Sequence, residues 1–246
     1  MSRRYDQSTT TFSPEGRLHQ VEYAMEAINN AGTCIGLQSE QGLVLAAEKR
    51  VVSKLLAKSK TSEKTYPIDD HVVCLVAGLT ADANILTQNA RLSSQQYLYK
   101  FGEPQPIEQL VKEVCNYKQQ YTQFGGLRPF GVAFLFGGWD KHHGFQLYQS
   151  DPSGNYSGWR ATVIGQNNQA GKSILKSDFK EDSTQAANLK LAVKILPTPD
   201  RIDLSEMKRL PDGSLVHVTL PDADVQVLID LCQKEAEAEA KSSGDM

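Results

Sequence analysis

The side chains best equipped for chemistry fall into short groups, and each group lacks one requirement of the reaction it suggests. Gly-Gln-Asn-Asn-Gln-Ala-Gly-Lys-Ser at 165–173 follows an apolar strand pattern and opens a helical one, the setting in which backbone N–H groups cradle phosphate. A phosphate loop of that type has four residues between its first glycine and Gly-Lys-Ser, whereas five intervene here, 166–170. The extra residue carries the lysine away from the N–H cradle. The stretch therefore reads as a glycine turn with Asn168 near a helix start and Lys172 in solvent. Asp230, in Val-Leu-Ile-Asp, imitates an acid that could hold a nucleotide's metal, but it falls inside an amphipathic helical pattern. His142 and His143 could begin a metal site, yet no third ligand stands at a useful spacing, and the pair lies between Asp140-Lys141 and Gly144, as a turn would. No Gly-x-Ser-x-Gly nucleophile elbow is present. Cys34, Cys74, Cys115 and Cys232 include no Cys-x-x-Cys pair, and three of them sit in apolar patterns, as reduced core thiols of an intracellular protein do. No metal and no cofactor is expected.

Composition narrows the class further. With 246 residues, 40% apolar and 22% charged, the chain can bury a sizeable core. A formal net charge of −3 gives no electrostatic case for nucleic acid as a partner. No apolar segment follows Met1, and no stretch approaches the about 18 apolar residues that a membrane span requires, so no membrane partner is expected.

Periodicity supplies the elements that must position any site. Ser13-Pro14-Glu15-Gly16 is a turn, with proline where φ must be fixed and glycine at its end. Leu18, Val21, Met25 and Ile28 then form one apolar stripe of a helix, 18–31, which Asn29-Asn30-Ala31-Gly32 brings to a stop. Strands are expected at 33–38 and 43–47 around a loop at 39–42, and the apolar run 71–78 reads as a strand covered on both faces. Helices follow at about 82–99 and after Pro104 and Pro106, the second with Ile107, Leu110, Val111, Val114 and Tyr121 on one face. The glycine-rich 124–131 breaks that pattern. Strands at 132–140, 144–151 and 158–165 precede helices near 170–179 and 184–196, two strands around 211–213, and a last helix from about 221. Trp139, Tyr148, Tyr156 and Trp159 read as one group of core and cross-strand aromatics. Blocks of strands separated by pairs of helices fit an α+β fold, a four-layer αββα sandwich. The expected division is a mobile arm at 1–12, one domain at 13–232, and a solvated helix end with a disordered tail at 233–246.

Residues 5–28, YDQSTTTFSPEGRLHQVEYAMEAI, resemble the N-terminal signature of proteasome alpha subunits. The likeness continues through AGTCIGL, GLVLAAEKR, TSEK, VAGLTADANIL, YTQFGGLRPFGV and the run 138–165, and covers about 2–194. It implies the N-terminal-nucleophile hydrolase fold, with an extra N-terminal helix. It also implies a place in one of the two outer seven-membered rings of the 20S core, in ubiquitin-dependent protein degradation in cytoplasm and nucleus. The implied partners are the other alpha subunits, the proteolytic beta subunits, and the C-terminal tails of regulatory ATPases or other activators.

Proteolytic members of this fold use a chain-terminal threonine, with its own α-amine available for proton transfer. Laid on this chain, their pattern puts Glu48 in the acid's place, Lys64 in the lysine's place, and the nucleophile's place on Gly32, which has no hydroxyl. Thr33 is one residue beyond and has no free amine unless the chain is cut after Gly32. The resemblance therefore implies no catalytic residue; the alternative is a processed threonine hydrolase. It assigns Tyr5, Asp6, Pro14 and Tyr23 to a gate cluster, with Gln7 where a simpler form has arginine. It assigns Lys64 to activator docking. The helix stripe Leu18, Val21, Met25 and Ile28 is expected to pack partly on the chain's own sheets and partly on neighbouring subunits.

Overall fold

The structure, a computed structural model, describes residues 8–49, 55, 64–196 and 202–244. A turn leads into α1 (His19–Asn29), followed by the hairpin β1 (Cys34–Ser39) and β2 (Gly42–Glu48), then β3 (Thr65–Asp69) and β4 (Val72–Gly78). Two helices follow, α2 (Thr80–Phe101) and α3 (Ile107–Gln123), then β5 (Val132–Asp140), β6 (Gly144–Ser150), β7 (Tyr156–Gly158) and β8 (Ala161–Ile164). Two more helices, α4 (Asn168–Asp178) and α5 (Gln185–Ile195), precede β9 (Ile202–Arg209), β10 (Leu215–Thr219) and α6 (Asp222–Gly244).

The strands make two five-stranded sheets, in the orders β10-β9-β2-β1-β8 and β3-β4-β5-β6-β7. Every pairing in them is antiparallel. Strand alternation builds the layers. Along β4, Val72, Cys74 and Val76 point to a core shared with α2 and α3, while Val73, Leu75 and Ala77 point to the other sheet. Along β2, Leu43, Leu45 and Ala47 face that same inter-sheet core, while Val44 and Ala46 face a third core with residues of α4, α5 and α6. Both faces are covered, so these strands are apolar throughout rather than alternating. The result is helices, sheet, sheet, helices: the αββα sandwich, with α1 as an additional element. α1 packs against β4 and β5 and sends Ile28 into the inter-sheet core.

Several elements differ from the sequence reading, each for a local reason. Leu18 lies outside α1, in extended conformation at its N-cap (φ −100°, ψ 98°). The single strand expected at 158–165 is two, β7 in one sheet and β8 in the other, with Trp159 and Arg160 crossing between them. β3 carries Pro67 and went unseen in the element pattern; it is an edge strand, where a missing N–H is tolerated. The four aromatics do not form one group. Tyr148 and Tyr156 meet edge to face, 6.1 Å between centroids, whereas Trp139 packs at the inter-sheet core and Trp159 is at the surface. The stretch 233–244, expected as a solvated helix end, is the last part of α6.

Candidate functional site

The end of α1 and the ends of β2, β3 and β8 converge on residues 31–33. α1 closes with Ala31 N–H donating to the Ile28 carbonyl at 2.9 Å, and the chain turns through Gly32 into β1. Glu48 N donates to the Thr33 carbonyl at 2.9 Å, and Gln166 N to the Ala31 carbonyl at 2.8 Å. The Thr33 hydroxyl, almost wholly buried, donates to the Gln166 carbonyl at 2.9 Å, and Thr33 N lies 3.4 Å from Glu48 Oε2. Lys64, half-buried just before β3, donates from Nζ to the Gly32 carbonyl at 3.0 Å. Glu48, Lys64 and position 32 therefore do come together, but the position between them carries no side chain. A Cβ built on Gly32 would stand 2.5 Å from Lys64 Nζ and 3.2 Å from the Glu48 carbonyl oxygen.

Two side chains of this cluster carry a hydroxyl or a thiol, Thr33 and Cys34, and both bond to backbone carbonyls. Thr33 keeps a peptide nitrogen, and its hydroxyl is committed to a backbone carbonyl. The neighbouring Cys34 thiol is pushed up to about 11, chiefly by burial; Glu48 adds to the rise and Lys64 opposes it. It stays protonated and inert at neutral pH.

Ahead of α1, residues 13–17 close on themselves. Gly16 N donates to the Ser13 carbonyl at 2.8 Å and Ser13 N to the Arg17 carbonyl at 2.9 Å. Gly16 has the positive φ, 75°, that the turn requires. Arg17 grips Glu22 with two bonds, Nε at 2.5 Å and Nη2 at 2.8 Å, tying the turn to the first turn of α1. Pro14 is exposed in this turn, and Tyr23 is exposed on α1 with its ring stacked 6.3 Å from that of His19. Tyr5 and Asp6 lie outside the described residues. The helix stripe splits: Val21 and Ile28 are buried within this chain, 5% exposed each, whereas Leu18 and Met25 are half-buried.

The other candidate groups are structural. Asn167 takes a left-handed conformation (φ 57°) and α4 starts at Asn168, whose amide donates to the Gly165 carbonyl at 2.8 Å. Lys172 is stacked over Trp159, 5.5 Å from the ring centre, rather than standing free in solvent. His142 and His143 donate backbone N–H groups to Asp140 Oδ1, so the pair is a turn. Among the described residues no three His, Cys, Asp or Glu side chains converge as a metal site, and no helix is long and apolar enough to cross a membrane.

Two buried groups escaped the sequence reading. Asp82, in the first turn of α2, accepts from Arg128 Nη1 at 2.6 Å and Nη2 at 2.8 Å and from Gly131 N at 3.0 Å, which fastens the segment 124–131. The Arg128 hydrogen bonds hold its carboxyl below the usual range. Lys118, fully buried in α3, donates to the Val132 carbonyl at 3.1 Å and to Ser150 Oγ at 3.0 Å and lies over the Phe134 ring. Burial lowers its amine to about 8. Lysine at i+7 from Val111 and i+8 from Leu110, on the apolar face, was the available signal for the second group.

Comparison with known proteins decides what family owns this arrangement. The family model described as "Proteasome subunit" matches residues 28–209, and the model for the N-terminal signature of A-type proteasome subunits matches residues 5–27. The chain belongs to the proteasome alpha-subunit family. Similar relatives are named as alpha type-4 proteasome subunits. That of Arabidopsis thaliana, type-4-A, is 56% identical over 238 residues, 93% of this chain and 95% of its own. That of Spinacia oleracea is 58% identical over 223 residues, 87% and 89% of the two chains. The type-4-1 protein of Oryza sativa subsp. japonica is 55% identical over 237 residues, 96% of this chain and 93% of its own. The N-terminal signature ends one residue before the general family match begins, at Ile28, so the signature covers part of the arm, the turn and most of α1.

Proposed function

We propose that this alpha-family chain is a non-catalytic subunit of an outer ring of the 20S core, working in ubiquitin-dependent protein degradation in cytoplasm and nucleus. Its tasks in this reading are ring assembly through α1, control of substrate entry by the arm and the turn at 13–17, and docking of activator C-terminal tails at Lys64. Its partners are the other alpha subunits, the beta subunits, and the tail-bearing regulatory ATPases or other activators.

One observation carries the non-catalytic reading: the nucleophile's position is Gly32, and the Lys64 ammonium occupies the space a side chain there would take. α1 runs directly into that residue, and bonds from Gln166 N and Glu48 N hold Ala31 and Thr33 on either side. A processed threonine hydrolase would require a cut after Gly32, which would sever α1 from the strand it leads into. The test is the mass spectrum of this chain from the assembled particle, together with the mass of the complex purified through it. An intact segment through Thr33 in a very large complex is expected. A chain beginning at Thr33 would overturn the non-catalytic reading, and a free monomer would overturn the ring.

A further inference from the structure

The chain holds one Asp-Gly pair, Asp212-Gly213, and no Asn-Gly pair. Such a pair carries a latent reaction, because glycine has no side chain to shield its backbone nitrogen from the carboxyl of the residue before it. The pair lies in the loop that joins β9 to β10. Pro211 fixes φ where the loop begins, and Gly213 takes the left-handed conformation, φ 87°, where it ends. Gly213 N donates to the Leu210 carbonyl at 2.9 Å, and Leu210 N donates to the Ser214 carbonyl at 2.8 Å. Ser214 then reaches back to Asp212: its N–H and its hydroxyl both donate to Oδ1, at 2.9 Å and 2.6 Å. The hydroxyl first, and the N–H second, hold the Asp212 carboxyl below its usual range. Arg209 donates from Nε to the Gly213 carbonyl at 3.2 Å, and its guanidinium lies 4.6 Å from the ring centre of Trp139 at the inter-sheet core.

We propose that Asp212 is a self-modification site: its linkage to Gly213 rearranges to isoaspartate when the hairpin opens, and Ser214 prevents this while the hairpin is closed. In the first step Gly213 N bonds to Asp212 Cγ, a carboxyl C–O bond breaks, and the amide hydrogen leaves with the carboxyl OH as water. The five-membered imide then takes up one water. Opening at Cγ returns aspartate. Opening at the main-chain carbonyl leaves the chain running through the side-chain carboxyl, with a free α-carboxylate beside it. Water is the only co-reactant, and the mass does not change. The closed loop opposes the first step twice. The nitrogen's hydrogen is given to the Leu210 carbonyl, and the carboxylate is turned to Ser214 and kept ionised, a form that cannot expel water. Isoaspartate adds one methylene to the main chain, so the loop bonds could not all re-form. β10 is an edge strand whose register on β9 is set by this loop.

Isoaspartate is followed with time at neutral pH in the full-length chain, folded and in guanidinium chloride. Methyl transfer by isoaspartyl methyltransferase gives the amount, and fragmentation of the peptide around residue 212 gives the place. The unfolded parent should form it at 212 about tenfold or more faster than the folded parent, the scale of two lost hydrogen bonds to a charged group. Folded Ser214→Ala should exceed the folded parent about fivefold, and Ser214→Thr, which keeps a hydroxyl, should stay near the parent. Asp212→Glu, whose imide ring would have six members, should show no signal at this position when unfolded. No isoaspartate at 212 in the unfolded parent, or a signal that survives Asp212→Glu, overturns the site. Equal rates in the folded and unfolded parent overturn the protection. Ser214→Ala at the parent's rate, Ser214→Thr at the rate of Ser214→Ala, or a rise fully explained by a lower urea midpoint overturns the role of the Ser214 hydroxyl.

Discussion

Asp82 shows how a single carboxylate can decide the shape of a long glycine-rich segment. Three donors converge on it from Arg128 and Gly131, and it sits in the first turn of α2, where the helix dipole also favours a negative charge. The Arg128 side chain is 62% exposed, so water screens part of the attraction. Asp82→Asn should lower stability by about 1–2 kcal/mol, read as a lower urea midpoint. The acid dependence follows from the sign of the shift. The folded carboxyl is held below its usual value of about 3.9, so its contribution is present above that value and is lost as pH falls through the folded one. The parent should therefore lose more stability than Asp82→Asn below about pH 4. An acid limb of equal steepness in the two proteins would refute the clamp. None of this was legible from composition: Asp82 and Arg128 stand 46 residues apart, and the motif strings containing them gave no reason to join them.

At the scale of elements, α1 separates two roles that the sequence pattern had merged. Its stripe was read as one face shared between the chain's own sheets and its neighbours. Val21 and Ile28 in fact belong to this chain's interior, so Val21→Asp would bury an unpaired charge and cost several kcal/mol before any neighbour is met. Tyr23 is 46% exposed, so little of the chain's own packing depends on it. Tyr23→Asp should therefore leave the urea midpoint within about 0.5 kcal/mol of the parent and still impair entry into the particle. Val21→Asp should fail in both measurements. Full incorporation of Tyr23→Asp would show that the exposed face of α1 touches no neighbour. The arm ahead of the turn makes a separate prediction: removing residues 2–10 should raise basal peptide hydrolysis by the assembled particle, and an unchanged rate with intact assembly would deny it a gating role. The helices α2 and α3 and the strands β4 and β5 were plain in the sequence because long apolar periodicity and proline boundaries agree. β3 was hidden by Pro67, and the break between β7 and β8 by Gly158-Trp159-Arg160, which reads on into the start of β8 while the chain changes sheets.

For the whole molecule, the three layers of core put four ionisable groups out of reach of water, and their shifts work against each other in alkali. Burial pushes the thiols of Cys34 and Cys115 up to about 11 and raises that of Cys74 further still. Burial lowers the Lys118 amine to about 8. Each thiol stays protonated in the fold while its unfolded counterpart ionises near 8.5, so its contribution falls as pH rises from about 8.5 toward 11. The lysine runs the other way: between about 8 and 10.4 the unfolded chain binds the extra proton, so stability grows with pH over that window. Three thiols outweigh one amine. Net stability should decline above about pH 9 by on the order of 2 kcal/mol per pH unit, a slope set by two more protons held folded than unfolded. Lys118→Met removes the opposing group, so it should steepen the decline. At pH 7 it should also cost about 1–3 kcal/mol, because the Val132 carbonyl and Ser150 Oγ lose a buried donor. Cys115→Ala should make the alkaline limb shallower by about one proton's worth of slope. Urea unfolding of the full-length chain from pH 7 to 10.5 under reducing conditions reads all three slopes. A parent whose stability is flat across that range would show that these groups are hydrated in the folded protein, and the layered core described above would not be dry.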